Sequence, residues 1–150
     1  MSIYDALVGE GLELLTEQTC WRLLRESDVG RVGVNVAALP AIFPVNYTVI
    51  DNTIIFRTAP GSKLTAASQD AVVAFQVDDY DRAERSGWSV LAIGPAQVVH
   101  DLDVTFKVLD ANLEPWAGGT TRTNIVRVTP GFVSGRRIAR AHTNGHATKR

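Results

Sequence analysis

The chain has 150 residues, 15 Lys+Arg against 16 Asp+Glu, and a formal net charge of −1. One domain is expected at this length, able to bury ~70% of the surface its unfolded chain exposes. The 45% apolar and 21% charged fractions argue against a disordered chain, and the single cysteine excludes an intrachain disulfide and a Cys-rich zinc site. The most apolar stretch, around Leu91-Ala-Ile, is far short of the ~20 residues of a membrane span. The start, Met1-Ser-Ile-Tyr-Asp, has no basic leader, so the expectation is a soluble cytoplasmic protein.

In chain order, Thr16 is placed to cap a helix through Glu26, with Cys20, Leu23 and Leu24 on one face. Cys20 reads as a small core residue rather than a nucleophile. Gly30 is taken to end that element. The run Arg31-Val-Gly-Val-Asn-Val alternates, with Val32, Val34 and Val36 on one face of a half-buried strand. A second strand is expected from Phe43 to Ile50, a turn at Asp51-Asn52 and a return strand from Thr53 to Thr58, since Asp and Asn tolerate the left-handed backbone of a tight hairpin.

Ala59-Pro-Gly breaks this strand, and Ser62 caps a short helix over Lys63 to Gln69. Ala71 to Val77 predicts a central strand, and Asp78 to Gly87 a charged loop. Trp88 to Val99 is a long strand interrupted by Gly94-Pro95, which suggests a bulge or a barrel corner. Asp101 or Asp103 would cap a third helix carrying Phe106, Leu109 and Leu113. Strands near Asn124–Val128 and Phe132–Ile138 follow. The expected class is mainly β: an antiparallel sheet of six to seven strands that closes into a barrel, with two or three short flanking helices. Residues 1–139 form the domain, and 140–150 a flexible basic tail.

Charge is uneven. No acidic residue follows Glu114, whereas Arg122, Arg127, Arg136, Arg137, Arg140, Lys149 and Arg150 all lie beyond it. Such a segment suits nucleic acid or a phosphate-bearing ligand, or it answers the acidic body within the molecule or across a dimer. Few aromatics lie among those arginines, which disfavours nucleic acid. His142 and His146 sit four apart, but Gly145 and the missing apolar face argue against a metal-binding helix. The acids Asp78, Asp79 and Asp81 read as a solvated charge run rather than a metal site.

The stretch most informative about chemistry is Pro44-Val-Asn-Tyr followed by Ile55-Phe-Arg-Thr-Ala-Pro-Gly-Ser-Lys-Leu. It gathers a guanidinium (Arg57), an ammonium (Lys63) and two hydroxyls (Thr58, Ser62) at a strand-to-helix junction. A terminal phosphate suits such a set. It is neither a Walker loop nor a GxGxxG turn. The same residues also make an ordinary hairpin end with a helix cap and two solvated cations, and both readings stand on the residues alone.

The run from Pro44 through Lys63 resembles the pyridoxamine 5′-phosphate oxidase-like FMN-binding split barrels, in their flavin/deazaflavin-linked branch. Gly87-Trp-Ser-Val, Pro115-Trp-Ala-Gly-Gly, Val126-Arg-Val-Thr-Pro and Gly135-Arg-Arg-Ile are similar further pieces, in family order over roughly residues 17–139. The resemblance implies FMN at a homodimer interface. Arg57, Thr58, Ser62 and Lys63 would hold its phosphate. Val45, Asn46 and Tyr47 would line the flavin ring, partly through backbone groups. Arg136 and Arg137 would reach the flavin from the second subunit, one of them near N1 and the C2 carbonyl. Trp88 and Trp116 are candidates to wall the pocket, against the plainer reading of core or interface packing.

Two departures are visible. The strand after Gly87-Trp-Ser-Val carries Ala92-Ile-Gly-Pro-Ala where the family pattern has a basic residue. The C-terminal Trp and Arg-Leu-His elements of true pyridoxamine phosphate oxidases are missing, which argues against oxidation of the vitamin B6 phosphate. The implied function is an FMN-dependent oxidoreductase moving hydride or electrons between a nicotinamide or F420 reductant and a small molecule. The alternative is a non-catalytic flavin- or heme-binding protein. No Ser-His-Asp or Cys-His set stands out, and no catalytic residue is assigned.

Overall fold

In a computed structural model, residues 12–100, 107 and 124–138 are described. They form strands β1 (Leu12–Leu15), β2 (Val29–Val36), β3 (Leu39–Ile50), β4 (Thr53–Thr58), β5 (Ala71–Asp81), β6 (Ser86–Val99), β7 (Asn124–Val128) and β8 (Phe132–Ile138). Helix α1 (Glu17–Glu26) lies between β1 and β2, and α2 (Lys63–Ser68) between β4 and β5. The third helix expected after Asp101, Trp116, the histidine pair and the basic tail lie outside the described residues.

All pairings are antiparallel, in the order β1-β8-β6-β5-β2-β3-β4-β7, and β7 pairs again with β6. That last pairing closes six strands into a barrel, the split barrel expected from the sequence, with β8 and β1 extending the sheet beyond it. β6 makes the closure by giving one edge to two strands in turn. Its first half, Gly87 to Ile93, pairs with β8, and its second half, Ala96 to Val99, with β7.

Gly94 is where the partners change. Thr129 N–H donates to the Pro95 carbonyl and Gly131 N–H to the Ile93 carbonyl, both at 3.0 Å. The β7–β8 turn therefore lies directly on β6. A Cβ on Gly94 would stand 2.2 Å from the Thr129 oxygen. Glycine is required here by close backbone approach, and Ala92 beside it is fully buried.

The barrel interior follows strand alternation. Val32 and Val34, Val45 and Tyr47, Ile54 and Phe56, Val73, Phe75 and Val77, Val90 and Ala92, and Val126 and Val128 all point inward. Val36, expected with Val32 and Val34, shares their face and is half-buried. Gly30 does not end α1, which stops at Glu26 with Ser27 as its cap. It lies inside β2, where a Cβ would enter the Phe75 ring at 2.3 Å, and Phe75 in turn meets Tyr47 edge-on at 4.8 Å. Helix α1 buries Cys20, Leu23 and Leu24, as its spacing predicted, and Thr16 caps it by accepting from Thr19 N–H at 3.2 Å. The Tyr47 hydroxyl donates to the Leu24 carbonyl at 2.6 Å and ties helix to barrel. Burial of the Cys20 thiol pushes its pKa up, in keeping with an inert core residue.

Three boundaries differ from the sequence reading. β1 is an added edge strand held by pairing with β8. β3 starts at Leu39 rather than Phe43. Its pairing with β4 begins only at Tyr47, so Pro40 and Pro44 lie where one edge is free and a missing N–H costs no ladder bond. The charged run after Val77 is not a long loop. Asp78–Ser89 through Asp81–Ser86 continue the β5–β6 ladder, with the acids exposed and Arg31 paired to Asp78 at 3.0 Å. No helix among the described residues is long and apolar enough to cross a membrane.

The seam gives a direct test. Gly94→Ala should cost about 2 kcal/mol or more and lower Tm by about 5 °C, because backbone cannot yield to the new Cβ. Gly131→Ala, with nothing within 4 Å of its Cβ position, should stay near the parent. Equal midpoints for the two variants in thermal denaturation would contradict this account of the closure.

Candidate functional site

β4 alternates Ile54, Phe56 and Thr58 inward with Ile55 and Arg57 outward. Arg57 is therefore half-buried on the outer face, one residue past the last β3–β4 pair, Tyr47–Phe56, which places Asn46 beside it. After Thr58 the chain turns through Pro60-Gly61. Ser62 N–H donates back to the Ala59 carbonyl at 3.2 Å, and Gly61 takes φ +70°, the left-handed position of a type II turn. The space around Gly61 is open, with nothing within 4 Å of a Cβ there.

Ser62 then caps α2, accepting from Thr65 N–H at 3.1 Å. Thr65 Oγ1 lies 2.7 Å from Thr58 Oγ1, 2.9 Å from Ser62 Oγ and 3.1 Å from the Ala59 carbonyl. One proton assignment satisfies this chain: Thr65 donates to Ala59, while Thr58 and Ser62 donate to Thr65. Thr65 is thus the hub of the junction, a role the sequence reading missed, although the Ser62-x-x-Thr65 spacing carries it. Thr58 is buried, and its hydroxyl and that of Ser62 are committed within the turn. Lys63 is exposed, and Arg57 and Ser62 are half-buried. Among the described residues Lys63 has no ion-pair partner.

The three ring-lining candidates divide. Val45 and Tyr47 turn their side chains into the core, 8% and 2% exposed, so they offer a ligand backbone groups alone. Asn46, between them, is half-buried on the outer face. Burial pushes the pKa of the Tyr47 hydroxyl well above the ordinary tyrosine value, with a smaller push from Asp28.

Arg136 and Arg137, adjacent on β8, project to opposite faces. Arg136 stands opposite Ser89 and Leu14 and borders a groove of about 330 Å³ with Leu12, Asp78 and Ile138. Arg137 stands opposite Trp88 and borders a separate pocket with Asp79, Tyr80 and Asp81. Trp88 is half-buried and packs against the core. Arg136 is thus the one that shares the outer face with Arg57 and Asn46. The two cations lie at one level of the sheet, since Asn46 pairs with Val29, Arg31 with Gln76, Asp78 with Ser89 and Ser89 with Arg136. Five strand spacings separate β4 from β8, ~24 Å along the surface.

Comparison with known proteins follows this geometry. Residues 16–137 match the sequence profile of the pyridoxamine 5′-phosphate oxidase family. An uncharacterised protein of Mycobacterium tuberculosis is 40% identical over 129 residues, covering 83% of this chain and 84% of its own. The structure of an FAD-binding protein from Mycobacterium smegmatis is 37% identical with a TM-score of 0.73, and the match covers 85% of this chain and all of that one. A conserved protein of unknown function from Corynebacterium diphtheriae is 30% identical with a TM-score of 0.71, over 87% of this chain and 100% of the other.

The buried phenol predicts a pH dependence. A raised folded-state pKa means the fold keeps the proton that the unfolded chain releases. Stability from this group is complete below the ordinary tyrosine pKa of ~10 and is lost as pH rises above it. Chemical denaturation between neutral pH and pH 11 should show that alkaline decline, and Tyr47→Phe should flatten it while costing about 1 kcal/mol at neutral pH. An unchanged alkaline limb in the variant would contradict the assignment.

Proposed function

The chain belongs to the pyridoxamine 5′-phosphate oxidase family, and from that premise we propose that it binds a flavin nucleotide on the outer face of β4, with the phosphate on the ribityl arm seated by Arg57 and Lys63. One observation carries this reading: a guanidinium and an ammonium stand together at an open glycine turn whose hydroxyls are already committed to holding its shape. The committed hydroxyls fix the backbone from which both cations extend, and each cation can give a phosphate charge-assisted hydrogen bonds. The flavin-binding relative at 37% identity supports the same ligand class.

Asn46 and the backbone of Val45 and Tyr47 border the ring in this reading, beside Arg57. Arg136 comes from a second copy of the chain. Within one chain it lies five strands from Arg57, too far for one ring system to meet both. A second copy has a surface to use: Ile42, Gly33, Ala74, Ile93 and Phe132 form one row across five strands, apolar throughout, with Ile42 72% exposed. These two observations support a homodimer with the flavin between the copies.

Bound flavin, as FMN or as the FMN half of FAD, supplies the hydride and electron chemistry, and the chain supplies binding, orientation and charge. In this reading Arg136, the one of the Arg136–Arg137 pair on the outer face, stabilises negative charge on the reduced ring. The activity proposed is oxidation or reduction of a small molecule, with a nicotinamide or F420 as the reductant. A protein that only stores flavin would leave electron transfer from NADPH or reduced F420 no faster than with free FMN.

The phosphate seat is tested by ligand comparison. Replacing Arg57 and Lys63 together by Ala should weaken FMN by about ten-fold or more, from two lost charge-assisted contacts, and leave riboflavin within about two-fold. Equal losses for both ligands in calorimetric titration would refute the placement.

A further inference from the structure

Both helices open on a hydroxyl cap with one spacing, Thr16-x-x-Thr19 for α1 and Ser62-x-x-Thr65 for α2. In each, the cap oxygen accepts from the backbone N–H three residues on, at 3.2 Å and 3.1 Å, and the two side-chain hydroxyls meet at 2.9 Å. Capping a helix asks for no more than this. Among the described residues the Thr19 hydroxyl meets only its cap. Thr65 reaches further, back to Thr58 Oγ1 at 2.7 Å and the Ala59 carbonyl at 3.1 Å.

Thr58 directly follows Arg57, and Ser62 directly precedes Lys63. One hydroxyl is thus bonded to the chain neighbour of each cation, across the exposed Ala59-Pro60-Gly61 turn. On one side of the turn, Thr58 is fixed in β4 by its pairing with Asn124. On the other, α2 is a six-residue helix, too short to hold its first turn in place by its own hydrogen bonds. Leu64 and Ala67 pack it onto the core, so without the Thr65 hydroxyl the helix stays on the barrel while its first turn loses the tie to β4.

We infer that Thr65 is a positioning residue for the phosphate seat: its hydroxyl sets Lys63 relative to Arg57, acting through Ser62 and Thr58. The inference rests on the flavin reading and adds what brings the two cations to bear on one phosphate. A looser turn costs affinity for a ligand that must meet both cations, and costs nothing for a ligand without a phosphate.

Calorimetric titration of the full chain with FMN and riboflavin tests this. Thr65→Val removes the hydroxyl and keeps the branched shape. It should weaken FMN by about five-fold and leave riboflavin within about two-fold. Thr65→Ser keeps the hydroxyl and should bring FMN back to within about two-fold of the parent. Thr58→Val cuts the tie from the β4 side at a buried position and keeps the Ser62 cap. It should also weaken FMN alone, and it serves if Thr65→Val fails to fold. Thr16→Val removes the α1 cap and should change neither ligand by more than about two-fold, which separates positioning from a general loss of stability. Equal losses for FMN and riboflavin, FMN affinity left unchanged by both Val variants at 65 and 58, or no recovery with Ser overturns the inference, while the phosphate seat still stands or falls on the Arg57 and Lys63 double variant. A parent that binds no flavin overturns the flavin reading itself, and this inference with it.

Discussion

The architecture turns on one close approach, that of the Thr129–Gly131 turn to the backbone of β6 at Gly94. With no side chain there, β6 can hand its edge from β8 to β7 within two residues. Because β7 takes the second half of that edge, it also reaches β4 and closes the barrel. That closure sets Arg127 diagonal to Arg57. The same exchange leaves β8 on the first half of β6 and carries Arg136 to the far side of the sheet. The distribution of cations over the surface is thus a consequence of where the closing edge is split.

Much of this fold was legible because the barrel strands obey a period of two. Val32 and Val34 alternate with polar or small residues, and the Asp51-Asn52 turn, with φ of 49° and 56°, is the left-handed hairpin its residue types announce. Gly94-Pro95 was visible as a disruption, but the disruption does not say which strand crosses it. The misjudged boundaries share a cause. Leu39, Pro40 and Ile42 at the start of β3, and Asp78 to Asp81 at the end of β5, are exposed, and main-chain ladders carry much of the order there. Pro40 in the one, and Asp78, Asp79 and Asp81 in the other, mimic loop composition.

The candidate site was legible as a set of residue types and less so as a geometry. Arg57, Thr58, Ser62 and Lys63 are one junction, as their proximity in sequence implied. Their division into an inner pair of hydroxyls and an outer pair of cations depends on burial, which a linear motif does not record. Thr65 escaped notice because its work is internal. Val45 and Tyr47 flank an outward Asn46 by strand alternation, and Arg136 and Arg137 divide between faces for the same reason.

The central claim is that a flavin phosphate is held on the outside of the barrel, at the turn where β4 meets α2. A crystal structure of the protein grown with FAD tests it most directly. The account predicts phosphorus atoms within ion-pair range of the Arg57 guanidinium, with the ring beside Asn46. A flavin seated instead against Arg137 and the β5–β6 hairpin, with Arg57 left in solvent, would contradict it.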